Sequence, residues 1–225
     1  MITPSFRPIA GHAVLVELAT EISEEVADAI VSLDRAIQEA GIEGVRETTP
    51  ALVNLLVIFD PLVTDHAQVG AAVSALLPLP EKGGAAVNTR EVDVCYEDGL
   101  CPDLDAVAQA TGGSHESVIS AHLAGDYRVG MYGFAPGFAY LAGVPEGAQV
   151  PRKPAPVRGI PAGSVMVAGP QCIVTTVKMP TGWSIIGRSP TQIMLSDPDK
   201  PFLFDVGDRV QFRRISRDDY ERAVS

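Results

Sequence analysis

Apolar side chains recur at three- and four-residue spacing through residues 24–40, with Val26, Ile30, Leu33 and Ile37 on one stripe. That spacing predicts an amphipathic helix with one buried face. Ser23 stands at its N-cap, Glu24 and Glu25 suit its positive end, and Gly41 stops it. Residues 13–18, rich in Val and Leu, read as a short strand before it. Residues 45–49 and 52–59 read as two strands joined around Pro50, the second apolar enough for a sheet interior. A second helix is expected from about 65 to 77, capped by Thr64 or Asp65, with Val69, Val73 and Leu76 on one face. The order strand, helix, strand, strand, helix predicts a ferredoxin-like α/β sandwich.

Periodicity stops across residues 78–88, Pro-Leu-Pro-Glu-Lys-Gly-Gly-Ala-Ala-Val-Asn, where glycine and proline collect. A boundary is expected there, with an N-terminal α/β domain over 1–85 and a second domain over 86–225. Residues 90–96 alternate like a strand. Two short helices follow, over 103–110, opened by Pro102 and closed by Gly112, and over 114–123, capped by Ser114. From Tyr127 onward short β-branched runs at 164–168, 173–177, 183–186, 192–195 and 209–215 alternate with turn residues, the pattern of a small barrel or sandwich.

Composition narrows the classes of function. Of 225 residues 46% are hydrophobic and 20% charged, enough apolar side chain to fill a core, and the formal net charge is −11. With no basic run, the chain lacks the footprint of a nucleic-acid or anionic-membrane binder. Cys95, Cys101 and Cys172 have no metal-like spacing, and His12, His66 and His115 are scattered singly, so no metal site is expected. No charged-then-apolar leader opens the sequence, and the longest apolar run is too short to span a bilayer, so a cytoplasmic protein is expected.

The chemistry-bearing residues gather around three glycine- and proline-rich stretches. The first is Gly133-Phe134-Ala135-Pro136-Gly137-Phe138-Ala139-Tyr140-Leu141, the second Pro161-Ala162-Gly163-Ser164-Val165, the third Gly182-Trp183 with Arg188 beyond it. Glycine lets backbone approach closely, proline fixes φ, and aromatics supply area, so these loops are shaped for binding. His122 precedes the first loop and reads as a general base or as a buried helix residue bonded to a carbonyl. Ser164 reads as a nucleophile or as a turn hydroxyl, and it lacks the Gly-x-Ser-x-Gly elbow. Arg152, Lys153, Arg158 and Arg188 flank the loops in an otherwise acidic chain, where guanidinium groups suit carboxylate or phosphate. Asp103 and Asp105 read as first-turn helix acids. No phosphate-loop motif occurs, so a nucleotide site would be unconventional or shared with another chain.

In order and spacing these loops, with Pro151-Arg152, Gly169-Pro170-Gln171 and Ile186-Gly187-Arg188, resemble the B-type subunit of the bacterial ATP-hydrolysing 5-oxoprolinase. That family is also named allophanate hydrolase subunit 1 and KipI-like, and is related to the carboxyltransferase region of urea carboxylase. Phe59-Asp60-Pro61, Pro102-Asp103-Leu104, His122, Tyr127 and Val206-Gly207-Asp208-Arg209-Val210 extend the resemblance over nearly the whole chain. Thr181 stands where the family usually has glycine.

The resemblance implies an N-terminal α/β domain followed by a cyclophilin-like β-barrel, and a heteromer with a C-type subunit and, for the oxoprolinase, an A-type subunit. It implies ATP-driven hydrolysis of a small amide, 5-oxoproline, with ATP at a site shared with the partner. On that reading His122, Arg152 and Ser164 are the catalytic candidates. Gly133, Phe134, Pro136, Gly137, Phe138, Tyr140, Pro161, Gly163, Gly182, Trp183 and Arg188 are the substrate-binding candidates. A kinase-regulating module without catalysis and a carboxyltransferase subunit acting on urea-like amides share the family and stand as alternatives.

Overall fold

The structure is a computed structural model that describes residues 4–78 and 88–225. Most of the expected linker, 79–87, lies outside the described residues. Two compact units divide between Val87 and Asn88.

The first unit contains β1 (Ser5–Ile9), β2 (Ala13–Glu17), α1 (Glu24–Ala40), β3 (Val45–Ala51), β4 (Asn54–Phe59) and α2 (His66–Ala75). Its strands run β1-β2-β4-β3, each pair antiparallel. Val14 and Val16 of β2 and Leu55, Val57 and Phe59 of β4 share one face, as a two-residue repeat requires. That face buries Val26, Ile30, Leu33 and Ile37 of α1 with Val69 and Val73 of α2. The Ser23 side chain accepts from the Val26 amide, Gly41 takes the left-handed conformation at φ 56°, and Asp65, rather than Thr64, caps α2. The strand pair does not turn at Pro50. Pro50 lies within β3 opposite Leu55, and the hairpin turns at Leu52 and Val53, with Ala51 facing Asn54. β1, unmarked by any apolar run, forms a hairpin with β2.

The second unit contains β5 (Thr89–Val94), α3 (Leu104–Thr111), α4 (His115–Leu123), β6 (Tyr127–Tyr132), β7 (Ala139–Ala142), β8 (Val157–Ile160), β9 (Ser164–Ala168), β10 (Gln171–Val174), β11 (Met179–Thr181), β12 (Ser184–Arg188), β13 (Arg209–Arg214) and α5 (Arg217–Val224). Antiparallel pairing runs β6-β7-β10-β9-β12. β13 joins β6 antiparallel and β5 parallel, and β8 with β11 forms a separate two-stranded ribbon. The expected strand at 192–195 is reduced to a single bridge between Met194 and Phe202.

All five residues of β9 are buried because the strand is covered on both faces. Val165 and Val167 enter a large core with Val129, Leu141, Cys172, Val174, Ile186 and the helices α3 and α4. Met166 and Ala168 enter a second core with Phe138, Ile160, Ile173, Met179, Trp183 and Ile185. The ribbon supplies Ile160 and Met179 to that second core, which fixes it against the loops that carry the candidate site.

Candidate functional site

The loop 133–138 joins β6 to β7 and consists of two tight turns. Gly133 accepts from the Ala135 amide at 2.9 Å, which places Phe134, at φ 72°, in the centre of a three-residue turn that non-glycine residues seldom adopt. Ala135 accepts from the Phe138 amide at 3.0 Å across Pro136 and Gly137, and Gly137 has φ 70°, the arrangement of a type II turn. Thr176 fastens the loop from outside by donating to the Pro136 carbonyl at 2.7 Å. The strained Phe134 is 70% exposed. Its ring stands 5.3 Å from that of Phe138, which is 5.5 Å from Tyr140, and Tyr140 is 6.0 Å from Trp183. The structure therefore brings the four aromatics together, but Phe138 and Trp183 are buried in the second core. They serve as the floor beneath the loops instead of an open wall.

His122 and Ser164 are both buried side chains. His122 on α4 is wholly buried. Its Nδ1 is 2.8 Å from the Tyr96 hydroxyl and its Nε2 is 3.5 Å from the Cys172 thiol, so both ring nitrogens of the neutral imidazole have partners. Phe212 and Tyr127 pack against the ring at centroid distances of 4.4 and 5.3 Å. Burial lowers the imidazole pKa from 6.5 to about 3 and pushes the Cys172 thiol and the Tyr96 hydroxyl upward, because no charged form is solvated there. A base must reach the proton that it abstracts, and nothing outside the core reaches this one. In this structure His122 is a core residue. Ser164 is also wholly buried, and its hydroxyl donates to the Pro161 carbonyl at 2.8 Å. It closes the turn 161–163 together with Thr175, which donates to the same carbonyl at 2.9 Å. Among the described residues the Ser164 hydroxyl is engaged by this turn.

The two arginine candidates are held apart. A methyl group added at Gly182 would lie 3.8 Å from the Arg152 Nε, so the exposed Arg152 extends past Gly182, in the bend between β11 and β12. Arg188 ends β12, and its Cδ lies against Gly163, whose φ is 77°. The two thus border different glycine turns, six residues apart along the chain. The Arg188 Nε is buried with no acceptor among the described residues. An unsatisfied buried donor on a cation is costly, and a carboxylate or phosphate oxygen beside the guanidinium would offset that cost.

A further group has no counterpart among the expected site residues. Asp103 precedes α3 yet makes no side-chain cap. Its Oδ2 accepts from Lys153 Nζ at 2.6 Å and from the Ile185 amide at 2.7 Å, and its own amide donates to the Ile185 carbonyl at 3.0 Å. Lys153 in turn donates its amide to the Gly182 carbonyl at 2.7 Å. Asp103 thus ties the segment carrying Arg152 to β12, which Trp183 precedes and Arg188 ends. Only the Pro102-Asp103 pair within the motif order marked it, and its partners lie far along the chain. Among the described residues no group of His, Cys, Asp and Glu is placed to hold a metal, and no helix is long and apolar enough to cross a membrane.

These elements define a mixed α/β protein with a predominantly antiparallel second unit, whose polar candidates border shaped turns without closing into one catalytic set. The chain belongs to the family described as carboxyltransferase domain, subdomain C and D, whose model matches residues 4–204. It is 36% identical over 223 residues to the B-type subunit of the 5-oxoprolinase of Bacillus subtilis (strain 168), covering 94% of this chain and 93% of that one. The crystal structure of TTHA0988 matches with a TM-score of 0.80 at 30% identity over 91% of this chain, which spans 40% of that longer chain. The Kluyveromyces lactis urea amidolyase shares the fold at 14% identity, with a TM-score of 0.74 over 98% of this chain and 15% of its own.

Proposed function

We propose that this chain is a B-type subunit of a cytoplasmic, ATP-dependent amide hydrolase that opens 5-oxoproline to glutamate. It acts with a C-type partner subunit and, in the oxoprolinase assembly, an A-type subunit. The observation that carries the reading is the identity to the B-type 5-oxoprolinase subunit along nearly the full length of both chains. The site agrees in character: it has shaped turns and, among the described residues, an Arg188 Nε with no acceptor beside a glycine turn. A composite site supplies the rest from the partner. The reaction activates the amide oxygen by phosphoryl transfer from ATP and then admits water, chemistry that depends on positioning and charge neutralisation. Arg188 and Arg152 meet carboxylate or phosphate at separate points. The loop 133–141, with Pro161, Gly163 and Gly182, shapes the rim.

The finer fold reading belongs to the same proposal. In the first unit β2, α1, β3, β4 and α2 follow the ferredoxin-like order, with the remaining edge position filled by β1. The second unit, residues 88–225, is taken as a cyclophilin-like barrel, with the domain boundary at the 85–88 region. The family description favours one second reading, a carboxyltransferase subunit acting on urea-like amides. Purified chain and neighbouring subunits, assayed for ATP hydrolysis dependent on 5-oxoproline, separate the two, since carboxyl transfer needs biotin and bicarbonate instead.

A further inference from the structure

Charge is distributed unevenly along the chain. Residues 147–196 hold Arg152, Lys153, Arg158, Lys178 and Arg188 and no acid, so all 28 Asp and Glu residues lie outside this stretch. Elsewhere most described cations are paired: Arg7 with Glu17, Arg46 with Asp60, Arg90 with Asp208, Arg213 with Asp93 and Arg214 with Glu116. In the acid-free stretch only Lys153 has a carboxylate among the described residues, that of Asp103.

The other four border the β8–β11 ribbon. Arg158 is exposed on β8, and Lys178, also exposed, directs its Cε past Gly159 of β8. Arg152 lies by Gly182 where β11 ends, and Arg188 lies by Gly163, just past the end of β8. Val157 and Val177, 45% and 37% exposed, stand between the charges. β8 pairs only with β11 among the described residues, so its other edge is open.

We propose that this ribbon is the docking surface for an extended, carboxylate-rich segment of a partner protein. Arg158 and Lys178, the exposed pair on the ribbon itself, stand apart from Arg152 and Arg188, which the proposed reaction uses at its borders. A strand of about six residues, roughly 20 Å when extended, has the length to follow β8 past them. The alternation of cations with exposed valines suits peptide side chains, and an open strand edge offers backbone hydrogen bonds. A cluster of one sign about this ribbon, in a chain whose net charge is −11, also steers an acidic partner toward it. The proposal rests on the subunit reading for the partner's identity and not for the binding itself.

The test uses the full chain and a fluorescent hexaglutamate peptide, followed by anisotropy at low salt and at about 0.3 M salt, where surface charges are strongly screened. Binding at low salt is expected, weakening with salt, and at least about tenfold weaker in Arg158→Glu/Lys178→Glu. A control with the same charge change on the first unit, Arg7→Glu/Arg35→Glu, should bind within about twofold of the parent, and thermal unfolding should confirm that both variants fold. No peptide binding overturns the proposal and leaves the cations as guards of a short strand edge. Equal loss in both variants overturns it in favour of net charge. Binding of tripolyphosphate or anionic vesicles without the peptide, or self-association abolished by the ribbon variant without peptide binding, overturns it in favour of those occupants. The peptide result stands whether or not 5-oxoproline is turned over.

Discussion

His122 shows how one side chain couples burial to the acid stability of the fold. Its pKa is lowered to about 3 from 6.5 in the unfolded chain. Below pH 6.5 the unfolded state therefore binds a proton that the folded state refuses. The contribution is complete above pH 6.5 and is lost as pH falls toward 3, at about 1.4 kcal/mol per pH unit. Urea unfolding at about pH 7 and about pH 5 should show this slope, and His122→Gln should remove most of it while lowering stability at the higher pH. An unchanged slope would place the imidazole in water, contrary to its contacts with Tyr96 and Phe212. Asp103 acts through geometry instead. Asp103→Ala leaves the Ile185 amide and Lys153 without their acceptor, at a cost of about 2 kcal/mol after allowing for partial exposure of the ion pair. Trp183, the chain's only tryptophan, reports the change directly, and its emission should shift to the red as the segment by Gly182 loosens. Sequence made His122 visible as a lone titratable residue but could not show that Tyr96 and Cys172 enclose it. Asp103 looked like a helix-end acid because its partners, Lys153 and Ile185, are 50 and 82 residues away.

At the scale of elements, turns decide where the site residues stand. A side chain at Gly163 would need φ 77° and would collide with the Ser189 carbonyl oxygen, whereas one at Gly169, with φ 53°, meets open space. Gly169→Ala should cost about 1 kcal/mol for the left-handed conformation alone. Gly163→Ala should cost more than about twice that and displace Arg188, measured as a difference in urea midpoints. Equal costs would mean that the 161–163 turn relaxes freely. The helices were legible because their signals are local: Ser23 and Ser114 at N-caps, Gly41 and Gly112 at φ 56° and 69°, and apolar spacing in α1. Strands β1, β8 and β11 were not. Each is short and holds Pro8, Gly159 or Pro180, and pairing rather than sequence pattern makes it a strand. Helix α5 was invisible for another reason: it buries nothing and so carries no apolar stripe.

For the whole molecule, the order of turns along the chain carried more information than any single residue. The motifs from Gly133 to Arg188 pointed to the family that the 4–204 match shows, while His122 and Ser164, candidates by their place beside those motifs and by the resemblance, are buried in the structure. Burial is a tertiary property, and a histidine or serine code does not reveal it. What remains at the surface is a strained aromatic loop, a positioned arginine with a buried unsatisfied nitrogen, and a cationic ribbon. On the proposed reading each is half of an interaction. The central claim is that the other half belongs to another chain, and a titration tests it most directly: 5-oxoproline-dependent ATP hydrolysis, with any A-type subunit in excess, measured as the C-type partner is added to a fixed amount of this chain. The account predicts no turnover from either alone and a rise that saturates at a fixed ratio of the two. Full turnover by the partner subunits without this chain, or none at any ratio, would contradict it.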